Sequence, residues 1–264
     1  MLPAYEIAVH IGRDIGNRVA GSSAERRAQR YVEGRMRAAG LELRHDHFTV
    51  FGHGLNQDPY RPSQNVIGVW DGAGTCLVVL MAHIDTVAGA PGAVDNGSGV
   101  GVVTALAGRL QALRPYCDVW LAATGAEERN YTTAPNHLGA SALVRRVERL
   151  HRTGDLRVAL SIDELGEQRR FWLRTPRSRP GPAARSVLAA AGRASVTVQW
   201  MRDTGSGNSD HREFALAGLP GAVLEGWKGT YVCHHLPCDT WRHLQAPILH
   251  DAPRVAEHVL RATR

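Results

Sequence analysis

His83 and Asp85 follow the apolar run CLVVLMA, Glu127 and Glu128 follow CDVWLAATGA, and Asp163 follows LRVALSI. Each run is continuous enough in apolar residues to form a strand buried on both faces, so three such strands would bring one imidazole and a group of carboxylates to one sheet edge. A lone acid at a strand end is ordinarily a helix cap or a loop group. Several carboxylates converging in a partly dry site would repel one another unless a cation lies between them. One imidazole with several carboxylates suits zinc, with manganese or cobalt as substitutes. Asp95, in the glycine-rich segment GAPGAVDNGSG, offers a carboxylate that two ions could share, since small neighbours let the backbone come close and the next helix start at once. A second imidazole is expected from CHHLPCDT, where His234 and His235 are adjacent.

Elements of a particular kind must hold such a cluster. Residues 24–39 have helical patterning that ends at Gly40, and LELRHDHFTVF alternates as a strand does. After a hairpin-like loop, QNVIGVW and CLVVLMAH read as buried strands separated by the turn DGAG. SGVGVVTALAGRLQAL has helical periodicity, CDVWLAAT is a strand, HLGASALVRRVERL a helix and LRVALSID a strand. The alternation predicts an α/β fold, an α/β/α sandwich around a central mixed, largely parallel sheet, with residues 1–264 as a single domain. RTPRSRPGPAAR reads as a surface loop, followed by a strand, by SDHREFALAG and by a closing helix.

Composition narrows the function classes. The formal charge is +6, yet Lys228 is the only lysine and the arginines are scattered among glutamates, a solvated face rather than a nucleic-acid surface. No run of eighteen apolar residues suggests a membrane span, and the N-terminus MLPAYEIAVHIGRDIG lacks a basic-then-apolar leader, so the expected location is the cytoplasm, with a mature secreted form as the alternative. The four cysteines do not read as a disulfide framework in a chain this long. Cys76 and Cys117, inside apolar runs, are expected to be buried thiols. Cys233 and Cys238 differ from them in bracketing His234 and His235.

The ordered segments GNRVAGSSAERRAQRYVEGRMRAAGLELR, AHIDTV, GAVDNGSGV, GAEE, SIDELG, SDHREFALAGLPGAVL and HHLPCDT resemble the clan MH zinc peptidases, of the bacterial leucyl aminopeptidase and aminopeptidase S type. The resemblance spans nearly the whole chain and implies a zinc exopeptidase fold with two co-catalytic Zn2+ ions. It assigns His83, Asp95 and Asp163 to one zinc, and Asp95, Glu128 and His235 to the other. It makes Asp85 the carboxylate that fixes the His83 tautomer. Glu127 becomes the general base, taking a proton from the zinc-bridging water and returning it to the leaving amine. His235 is preferred to His234 because the family's ligand histidine stands four residues before an aspartate, here Asp239. His234 then falls where some members carry a tyrosine that donates to the tetrahedral intermediate, a departure that its imidazole could fill. Asp210 and His211 are expected to organise the pocket. The histidines of RHDHF, FGHG, RLH and ILHDAPRVAEH have no matching partners and are expected on the surface or in packing. Some members bridge cysteines at the positions of Cys233 and Cys238, which implies a small-loop disulfide whose state follows the compartment.

The function so implied is removal of an N-terminal residue from a peptide or aminoacyl substrate. A glutaminyl-cyclase-like acyltransferase with one zinc is an alternative. So is a carboxypeptidase or N-acyl amino acid amidohydrolase, for which Arg129, Arg202 or Arg212 could hold a substrate carboxylate. An inactive receptor-type binding domain is the non-enzymatic alternative.

Overall fold

The structure is a computed structural model, and it describes residues 3–51, 60–128, 136–166, 170–204, 209–226 and 231–264. The chain opens with helix α1 (Pro3–Val9), which continues as a wider π turn over His10–Ile15. Helix α2 (Ser23–Ala38) follows, capped by Ser22, whose hydroxyl accepts from the Glu25 amide at 3.1 Å. Glu25, at the third helical position, turns back so that its carboxylate accepts from the Gly21 amide, the logic of a capping box. Ala28, Val32 and Met36 recur at every fourth position and form the buried stripe of α2.

Strands β1 (Glu42–Phe51) and β2 (Tyr60–Trp70) pair antiparallel. Then come β3 (Leu77–His83), α3 (Gly99–Ala107), the short α4 (Leu110–Leu113) and β4 (Asp118–Thr124). Next are α5 (Leu138–Arg149), β5 (Leu156–Asp163), β6 (Phe171–Thr175), α6 (Pro182–Arg193) and β7 (Val198–Arg202). The chain closes with α7 (His211–Leu216), β8 (Gly221–Gly226) and α8 (Ala246–Ala262). The eight strands form one sheet in the order β1-β2-β4-β3-β5-β8-β6-β7. Its centre, β4-β3-β5-β8, is parallel, while β1, β2 and β6 introduce the antiparallel pairings.

Alternation along the central strands builds two cores. Val78, Leu80 and Ala82 of β3 point into a layer with α1, α2, α3, α6 and α8, whereas Leu77, Val79 and Met81 point into one with α5 and α7. This is the expected sandwich, and burial on both faces explains why these strands read as unbroken apolar runs.

Two expectations are corrected. RTPRSRPGPAAR is not all loop, because α6 begins at Pro182 with proline in its first turn. Proline suits the first turn of a helix because its missing N–H has no intrahelical partner to lose. Cys76 and Cys117 are buried but form a disulfide. Leu77 pairs with Asp118 across the parallel strands β3 and β4, so the two preceding cysteines lie level, with Cα atoms 4.7 Å apart. Cys233 and Cys238 are bonded as well. No described helix is long and apolar enough to cross a membrane.

Candidate active site

The parallel strands β3, β4 and β5 end together at one edge. His83 is the last residue of β3, Asp163 the last of β5, and Glu127 and Glu128 lie just past β4. Asp95 reaches them from the loop before α3, and His235 from the segment after β8. His83 Nε2 lies 3.2 Å from Asp95 Oδ1 and 3.3 Å from Asp163 Oδ1. His235 Nε2 lies 3.2 Å from Asp95 Oδ2 and 3.2 Å from Glu128 Oε2. Ligands about 2.0–2.1 Å from a tetrahedral ion are separated by roughly 3.3 Å, so these spacings fit two zinc-sized positions sharing Asp95.

The donor chemistry agrees. Among the described residues, Glu128 Oε1 and Asp163 Oδ1 are buried without a hydrogen-bond partner, a costly state for carboxylate oxygens that a cation relieves. Groups able to hold an ion include His83 with Asp95 and Glu128, His83 with Glu127 and Asp163, and Asp95 with His234 and His235. Burial and the Asp95 charge push the Glu128 carboxyl well above its usual range. Burial would also raise Asp95 and Asp163, but the histidines outweigh it and both end below the ordinary carboxylate value. A multivalent cation between these neighbouring acids would favour the ionised form of all of them.

Residues 65–260, including every group just described, match peptidase family M28. The chain belongs to this family. It is 28% identical over 250 residues to leupeptin-inactivating enzyme 1 of Streptomyces exfoliatus, covering 85% of this chain and 52% of that protein. The M28 chain therefore spans about half the length of that relative. Its fold is similar to BSAP, a zinc aminopeptidase from Bacillus subtilis, with TM-score 0.83, 18% identity and coverage of 97% and 93% of the two chains. It is also similar to a glutaminyl cyclase of Fimbriiglobus ruber, with TM-score 0.84, 17% identity and coverage of 99% and 95%.

In the M28 chain the supporting contacts are as specific as the cluster. The Asp85 carboxylate accepts from the backbone amides of Glu127 and Glu128 at 2.9 and 3.1 Å. Its nearer oxygen stands 3.8 Å from His83 Nδ1, whereas the Asp85 backbone carbonyl lies at 3.2 Å. Asp85 thus approaches the imidazole through its main chain, and its carboxylate anchors the Glu127-Glu128 turn, a division of labour that residue type alone did not reveal. Burial pushes this carboxyl up to about 6, against the pull of His83. Asp239 accepts from the amides of Val94 and Asp95 and from Tyr231 Oη at 2.6 Å, fixing the loop that carries the shared carboxylate. Gly99 is required by contact: a Cβ there would fall 2.1 Å from the Ile162 carbonyl oxygen and 2.4 Å from Asn96 Oδ1.

His234 stacks on His235 with ring centroids 3.7 Å apart, and its Nδ1 lies 2.8 Å from Glu164 Oε1 and 3.4 Å from Asp95 Oδ2. One ring nitrogen therefore faces acids, leaving Nε2 for any donation outward. Asp210 and His211 are buried, Asp210 receiving the Thr124 hydroxyl and His211 lying 3.2 Å from Asp203. Arg202 and Arg212 are exposed; Arg129 and the histidine of FGHG lie outside the described residues.

Three contributors have no role assigned from the sequence, although two of them, Arg18 and Glu164, lie in segments that carry the resemblance. Arg18 is fully buried and donates to the carbonyls of Ile11, Gly16, Ile84, Pro91 and Gly92, stitching the N-terminal segment to the loops on either side of the site. Burial pulls its pKa down to about 10, while Asp239, Asp85, Asp95 and Glu128 oppose that shift. Glu164 and His137 are the others, and His137 lies 3.0 Å from Glu127. Four non-glycine residues at or beside these groups, Ala126, His137, Glu164 and His235, have positive φ, and such strain collects at functional sites.

Proposed function

We propose that the chain is an aminopeptidase working with two co-catalytic zinc ions, one held by His83, Asp95 and Asp163 and the other by Asp95, Glu128 and His235. The carrying observation is the Asp95 carboxylate, whose two oxygens face separate imidazoles, His83 and His235, each of which also faces a further acid, Asp163 or Glu128. Two zinc ions, when bound, polarise the scissile carbonyl and bring the pKa of a water towards about 7. Glu127 is the group that would accept the proton of the attacking water and return it to the departing amine. Asp85 sets the direction of Glu127 by holding its amide. His234, through Nε2, donates to the oxygen on which charge develops. The two disulfides favour an oxidising compartment over the cytoplasm expected from the N-terminus.

The test compares leucine p-nitroanilide with its N-acetyl derivative. Cleavage confined to the free amine supports an aminopeptidase, because acetylation removes the ammonium that the site acids attract. Equal rates would point to a deacylase or an endo-acting enzyme. The likeness to a glutaminyl cyclase sustains a second reading, for which release of pyroglutamyl product from a glutaminyl peptide, with one zinc per chain, would be decisive.

A further inference from the structure

Glu127 does not stand alone at the end of β4. The backbone of His137 donates to the Glu127 carbonyl at 3.0 Å, Leu138 to Ala126 at 2.9 Å and Gly139 to Gly125 at 2.9 Å, so the start of α5 is zipped against the turn carrying the base. A Cβ on Gly139 would fall 2.5 Å from the Gly125 carbonyl oxygen, so the closeness of this zip depends on glycine. The His137 side chain is fully buried. Its Nε2 lies 3.0 Å from Glu127 Oε1, and its Nδ1 lies 3.2 Å from Glu213 Oε1 on α7. Ser141 Oγ donates to the other Glu213 oxygen at 3.2 Å.

The backbone at His137 is left-handed, φ 55° and ψ 34°, which disfavours a side chain with a Cβ and would suit glycine. An imidazole is nonetheless kept there between two carboxylates. Each ring nitrogen faces one carboxylate oxygen, and Asn136 Nδ2 also lies 3.2 Å from Nε2. Burial would lower the pKa of the ring, but the bonds to Glu127 and Glu213 prevail and raise it to about 10. A carboxylate that must collect a proton needs one oxygen directed at the water, and an unrestrained carboxylate rotates.

We propose that His137, braced by Glu213, is a positioning residue that holds Oε1 of Glu127 and thereby turns Oε2 to the reacting water. The role rests on Glu127 being the base of the aminopeptidase reaction. His137 touches no substrate and acts only through Glu127.

Kinetics and zinc content on the purified zinc-loaded enzyme test it, with leucine p-nitroanilide as substrate. His137→Gly keeps a left-handed backbone available and removes the ring; His137→Asn tolerates the same backbone and retains a shorter donor; Glu213→Gln removes the brace. His137→Gly should hold two zinc ions and lose about ten- to a hundred-fold in kcat, with KM within about twofold, since a misplaced catalytic group affects turnover first. His137→Asn should recover part of the loss, and Glu213→Gln should show a smaller fall of the same kind. Wild-type kcat in folded, zinc-replete His137→Gly overturns the proposal, as does a loss that tracks zinc or raises KM in proportion. If His137→Gly does not fold, His137→Asn and Glu213→Gln decide it, wild-type kcat in both overturning the role. Wild-type enzyme without activity on the free-amine substrate would overturn the parent reading and this role together; an active wild type with an equally active His137→Gly overturns the role alone.

Discussion

His83 and His235 face opposite oxygens of one carboxylate, each 3.2 Å from Asp95. They arrive from segments far apart in the chain, and in the proposed two-zinc site the shared acid would make the two metal positions interdependent.

Asp95→Ala should therefore abolish both positions, whereas His235→Ala should leave one. Metal analysis after saturation with zinc and removal of excess should give two ions per wild-type chain, none or nearly none for Asp95→Ala and one for His235→Ala. Retention of two ions by Asp95→Ala would show that the carboxylate is not shared.

Glu127→Gln should keep both zinc ions and lose about 10²- to 10⁴-fold in kcat, as expected for removal of a general base. Glu128→Gln should weaken zinc at the His235 position instead. Interchanged phenotypes, read by kcat and zinc content, would reverse the assignment of base and ligand.

Glu25 links stability to pH. Its carboxyl is buried, accepts from Ser63 Oγ at 2.7 Å and Gly21 N at 2.6 Å, and is pushed up to about 8, first by burial and then by the Asp85 charge. The folded state then binds the proton more tightly than the unfolded chain, so stability falls as pH rises from the ordinary glutamate value, 4.5, to about 8. Glu25→Gln, whose amide can donate to Ser63, removes the titration. The Tm of Glu25→Gln relative to wild type should rise steadily between pH 5 and pH 8, by an amount equivalent to a few kcal/mol. A difference independent of pH would mean that Glu25 titrates normally.

The disulfides predict that protein prepared under oxidising conditions and then denatured without reductant has no titratable thiols. Cys76→Ala/Cys117→Ala should lower unfolding stability by about 2–4 kcal/mol, since that bridge closes the longer loop. Cys233→Ala/Cys238→Ala should mainly loosen the segment carrying His234 and His235, seen as weaker zinc binding. Four free thiols in the oxidised preparation would remove both bridges.

Local patterns determined much of this protein. Continuous apolar runs marked β3, β4 and β5 because strands covered on both faces need no polar alternation, and the acids interrupting that pattern at the strand ends pointed to the site. The clustered glycines around Asp95 marked a loop that must come close to something. Residues whose roles depend on distant partners were not legible in the same way. Cys76 and Cys117 are 41 residues apart and meet only through the register of two parallel strands. Arg18 resembles any surface arginine until five carbonyls from separate segments surround it. His137 follows a proline-containing stretch with no motif around it, and its place between Glu127 and Glu213 arises only when α5 and α7 pack on the same face of the sheet. Periodicity and residue type are read along the chain, whereas these partnerships depend on distances across the folded sheet, which only tertiary packing decides.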